Sequence, residues 1–83
     1  MMLIRYWFKF EQGAPSPLNL GCGITAYDEA DARAYLERDV FPIFGTRSIA
    51  AIEPDIDIQT LDQFHIMPNM RSPVIRGVWF PQI

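Results

Sequence analysis

Residues 2–11, Met-Leu-Ile-Arg-Tyr-Trp-Phe-Lys-Phe-Glu, alternate in character with a period of two, and no other stretch constrains the fold as much. Ile4, Tyr6, Phe8 and Phe10 fall on one face, and Arg5, Trp7 and Lys9 on the other. A helix would smear these aromatic side chains around its circumference, and aromatic residues favour strands. The chain therefore opens with a β-strand whose one face is built for a core.

The next ten residues contain Gly13, Pro15, Pro17, Asn19 and Gly21, which is turn chemistry. Cys22-Gly-Ile-Thr-Ala-Tyr27 then reads as a second strand, returning antiparallel to the first. Asp28 is suited to cap a helix, and Glu29 and Asp31 place negative charge in its first turn, where the helix dipole favours it. The helix is expected over 28–40, stopped at Phe41-Pro42 because the residue before proline is pushed out of the helical region. Ala32, Tyr35, Leu36 and Val40 share its apolar arc, with Ala30 and Ala34 opposite. Residues 47–53 read as a third strand ended by Pro54, residues 64–73 as irregular chain, and residues 74–80 as a last strand. In that last strand, Val74, Arg76, Val78 and Phe80 share one face, and Ile75, Gly77 and Trp79 the other. The expected fold is α+β: a small antiparallel sheet in the order β-β-α-β-β, with one main helix on one sheet face.

With 83 residues there is room for one domain, and a 49% apolar share is too rich for a disordered chain. Cys22 is the only cysteine, so no internal disulfide forms, and a reducing, cytoplasmic setting is expected. Arg5 and Lys9 interrupt the apolar start, so it reads as neither a signal peptide nor a membrane span. A net charge of −3 and a single lysine argue against nucleic acid as a partner.

Few residues suggest chemistry. His65 is the only histidine, and Asp62, three positions earlier, is placed to orient it as a base if the segment turns. Cys22 has no histidine near it in sequence and reads as a small buried apolar group. Glu53, Asp55, Asp57 and Asp62 form an acidic run without the glycine and terminal glutamate of a calcium loop, and one cysteine with one histidine makes no zinc motif. Gly21-Cys-Gly23 lacks the rest of a phosphate-binding loop. Neither metal nor cofactor is expected. From Phe64 onward the chain has no acid, so Arg71 and Arg76 either clamp an anion or pair with the acidic run. Trp7, Ile75 and Trp79 form an exposed interface if only one sheet face is covered, and belong to the core if a loop or the tail folds over the second.

The segments Gly23-Ile-Thr-Ala-Tyr-Asp28, Leu61-Asp62 with His65, Pro68-Asn-Met70 and Arg76-Gly-Val-Trp-Phe-Pro81 give the chain a resemblance, from Tyr6 onward, to a group of short bacterial proteins. The resemblance implies a bacterial source and a stand-alone polypeptide, and it carries no activity with it. Two functions are expected to compete. One is a non-catalytic protein-protein interaction module, acting as a homodimer, an adaptor or an immunity-type inhibitor. The other is a small anionic-ligand-binding protein or enzyme using His65 with Arg71 and Arg76.

Overall fold

The computed structural model describes residues 2–83. Strands β1 (Ile4–Phe10), β2 (Cys22–Ala26), β3 (Ile49–Glu53) and β4 (Gly77–Phe80) form one antiparallel sheet in the spatial order β3-β1-β2-β4. A single main helix, α1, occupies residues 29–44 between β2 and β3. The α+β class holds, and the β-β-α-β-β succession is not matched exactly. Short 3-10 turns at Pro17–Asn19, Ile58–Thr60 and Met67–Asn69 are inserted, the last two within the long connection from β3 to β4.

The alternation of β1 has its expected consequence on one face. Tyr6, Phe8 and Phe10 meet Cys22, Ile24 and Ala26 of β2, and α1 covers them with Ala32, Leu36, Val40 and Phe41. Asp28 caps α1 by accepting from the Asp31 N–H at 2.8 Å. Ala30 and Ala34 are exposed.

Pro42 does not stop the helix, which runs on to Phe44. The residues Leu36–Val40 form a π-helical turn, and the Phe41 N–H reaches back five residues to the Leu36 carbonyl. A proline inside an α-helix lacks a donor and clashes with the carbonyl four residues earlier. The wider turn offsets the ladder, so that Pro42 falls in the first turn of a fresh α-segment, Phe41–Phe44, where no N–H is required. Phe41 stays helical at φ −62° and ψ −35°, and Gly45, at φ +93°, ends the run.

The second sheet face is not open. Residues 56–70 fold across it, and Leu61 and Ile66 enclose Trp7, Trp79 and Phe80 with help from Ile56, Ile58 and Met70. Trp7 is 3% exposed and Trp79 1%, so the exposed interface expected for Trp7, Ile75 and Trp79 loses both tryptophans to a second core. Their rings lie 5.7 Å apart, nearly parallel at 29°, and each rests on a glycine of the β2 strand or its approach. A Cβ on Gly23 would stand 2.4 Å from the Trp79 ring, and one on Gly21 would stand 2.5 Å from the Trp7 ring.

The last strand is also shorter than expected. The β2–β4 register shifts between Gly23 and Ile24, because Phe80 pairs with Gly23 while Val78 pairs with Ile24. This irregularity puts Trp79 and Phe80 together in the second core and leaves Val78 on the helix side, instead of Val78 and Phe80 sharing a face. Residues 74–76 are turn and bend rather than strand.

Two predictions follow from this packing. Gly23→Ala is expected to cost about 2–3 kcal/mol, because the new methyl group must displace a buried ring, and urea unfolding measures it. Trp79→Ala is expected to cost about 3–5 kcal/mol, a large share of the roughly 4–12 kcal/mol total for a chain of this length, so its urea midpoint by circular dichroism should fall far below that of the wild type.

Candidate functional site

Three places hold the residues singled out from the sequence. The first is the loop after the Ile58–Thr60 turn. Asp62 Oδ1 accepts from the Phe64 N–H at 2.7 Å and the His65 N–H at 2.9 Å, which is why the chain turns here. The turn carries His65 back over Asp62, and His65 Nδ1 lies 3.1 Å from Asp62 Oδ2. The two backbone N–H groups, and then the His65 side chain, hold the Asp62 carboxyl below the usual range, so it is ionised and can only accept. Nδ1 therefore carries the proton, and in the neutral ring Nε2 is left as an acceptor.

His65 borders a cleft of about 390 Å³ whose wall is Pro17, Leu20, Phe44, Phe80 and Pro81. Asn69 and Gln82 are the other polar residues on it. Asn69 Nδ2 donates to the His65 carbonyl at 2.9 Å, which leaves its Oδ1 unused in that bond. A histidine steered by a carboxylate has the form of a general base. The cleft wall holds no serine, threonine or cysteine to activate, however. Cys22 lies in the other core, fully buried, and burial pushes its thiol pKa up, away from the reactive thiolate.

The second place is the clamp around Arg76. Its guanidinium donates to both oxygens of Asp31, at 2.7 and 3.0 Å, and lies over the Tyr27 and Tyr35 rings at 4.6 and 5.4 Å. Arg71 donates through its side chain to the Ile83 backbone oxygen. These arginines therefore neither pair with the acidic run nor stand beside His65; they border a separate depression with Ser72 and Ile75. The acids of the run have other tasks. Glu53 meets Lys9 at 3.0 Å, Asp57 caps the Ile58–Thr60 turn, and Asp62 holds His65.

The third place is the segment between the arginines. Thr25 Oγ1, on a buried residue of β2, donates to the Pro73 carbonyl, and Arg76 is drawn to Asp31 on α1. Between these two attachments Val74 and Ile75 project outward, 68% and 66% exposed. Ile75 is thus the one residue of the expected interface that is on the surface. Sequence alternation placed Val74 on the opposite strand face from Ile75; the turn puts both outside.

The clamp gives an acid-dependent prediction. Hydrogen bonds from Arg76, and then from the Tyr27 N–H, hold the Asp31 carboxyl below its ordinary value. A lowered folded-state value stabilises the fold above about pH 4 and is lost as pH falls through the folded value. Asp31→Asn should therefore be less stable than wild type at pH 7, and the gap between their urea midpoints should shrink below pH 4. A gap that is constant with pH would show that the Asp31 charge contributes nothing.

In comparisons with protein-family models, curated proteins and solved structures, nothing matches the chain.

Proposed function

We propose that the protein is a non-catalytic interaction module that presents Val74 and Ile75 as an apolar knob to a protein partner. The observation that supports the reading is the double attachment of the segment, at Pro73 through Thr25 and at Arg76 through Asp31. Two large aliphatic side chains are displayed on a segment tied by its backbone at Pro73 and by the Arg76 side chain beyond them, which lowers the conformational entropy lost when a partner covers them. A loosely tethered loop of the same composition would bind less well for that reason alone. Homodimer, adaptor and immunity-type inhibitor are all forms that such a knob serves, and self-association is the form tested first.

The same reading takes the bacterial source from the resemblance of its segments, and a reducing, cytoplasmic setting from the lone, unpaired Cys22. No described helix is long and apolar enough to cross a membrane.

Sedimentation equilibrium of the wild type and of Ile75→Asp up to millimolar concentration is the direct test. The wild type should gain mass with concentration, and Ile75→Asp should remain monomeric with an unchanged unfolding midpoint. If the wild type is monomeric throughout, immobilised wild type and Ile75→Asp are compared for capture of proteins from the host. No captured protein, or equal capture by both forms, removes the knob as a binding element.

A further inference from the structure

The cleft beside His65 shares no residue with the Val74–Ile75 knob, and its chemistry points to a different kind of ligand. We propose that it binds a small neutral ring bearing a hydroxyl group, of the phenol type, with the ring against Leu20, Phe44 and Phe80 and the hydroxyl donating to His65 Nε2.

Size and lining set the body of the ligand. A volume of about 390 Å³ lies at the small end of ligand sites, room for one ring rather than a nucleotide or a cofactor. The wall is made of proline, leucine and phenylalanine side chains, which favour an apolar ring.

Hydrogen-bond bookkeeping sets its polar end. Asp62 accepts from Nδ1–H, so in the neutral ring the free nitrogen Nε2 is an acceptor. Asn69 has used an N–H on the His65 carbonyl, and its Oδ1 is a second acceptor at the same rim. The Gln82 amide and the second Asn69 N–H are donors on the same rim, so a hydroxyl, which both donates and accepts, suits this set of groups. The adjoining Asp62 charge disfavours a carboxylate or phosphate, and Arg71 and Arg76 are engaged elsewhere. An anionic ligand is therefore not the one this cleft selects. His65 is 70% exposed along its side chain, so the site is shallow and binding is expected to be weak, with a dissociation constant on the order of 1 mM for a single ring.

The test is a heteronuclear NMR titration of the full chain at pH 7.5 with four probes: phenol, anisole, cyclohexanol and benzoate. Phenol should shift the resonances of Leu20, Phe44, His65 and Asn69 saturably, at least five-fold tighter than anisole, which keeps the ring but lacks the donor. Cyclohexanol should bind at the same residues, and benzoate more weakly than phenol. His65→Phe keeps a ring at the rim but no acceptor, and should erase the preference of phenol over anisole; Leu20→Trp should fill the cleft and abolish both titrations. Both substitutions are on exposed side chains, and spectra without ligand show whether each variant is folded. If either is unfolded, the preference for phenol over anisole in the wild type still decides the matter. Absence of saturation by phenol, shifts that map away from the cleft, equal binding of phenol and anisole, or tighter binding of benzoate would each overturn the proposal.

Discussion

Two indole rings lying on two glycines hold the centre of this molecule together. Trp7 and Trp79 stack on the sheet face away from the helix, and each fills the space where a side chain on Gly21 or Gly23 would stand. This contact brings β1, β2 and β4 into one unit on that face, and it gives residues 56–70 an apolar surface to close over. A sheet with α1 on one side and irregular chain on the other is the result. The covering segment is short of regular structure, so its carboxylates act locally. Asp57 and Asp62 satisfy backbone donors that neither helix nor sheet pairs, and in doing so fix the turns that place Leu61 and Ile66 over the tryptophans.

Arg76 does for the helix side what the tryptophans do for the other. Its contacts with Asp31, Tyr27 and Tyr35 join the start of α1 to the entry of β4. Asp31 serves two elements at once, since it also accepts from the Tyr27 N–H at 3.1 Å. The outward display of Val74 and Ile75 depends on this joint, as does the late start of β4. The cleft at His65 depends instead on the far end of α1, where the π-helical turn carries the helix past Pro42 and delivers Phe44 to the cleft wall. Had the helix stopped at Val40, that wall would have lost one of its two aromatic members.

Several of these features could be read from local pattern. The alternation of residues 4–10, the Asp28 cap, the apolar arc of Ala32, Leu36 and Val40, and the proximity of Asp62 to His65 all depend on neighbours within a few positions. Others could not. A period of two says which residues share a face, but not whether the second face is covered, and the register shift at Gly23 and Ile24 moved Phe80 across the sheet in spite of the period. Pro42 was a sound stop signal that a change of helical pitch overrode. The partner of Arg76 lies 45 residues away, beyond the reach of any local rule, and the nearer acidic run does not hold it.

Sequence alone determined that this chain makes an antiparallel α+β domain with an aromatic first strand and a capped helix on one face. Those outcomes follow from backbone preference and from the separation of apolar and polar side chains along short segments. Tertiary structure alone decided what is surface. It buried Trp7 and Trp79, locked Arg76 onto Asp31, left Val74 and Ile75 outside, and set His65 at the mouth of an apolar cleft. Exposure is a property of whatever packs against a residue, and here the packing partners come from segments tens of positions apart.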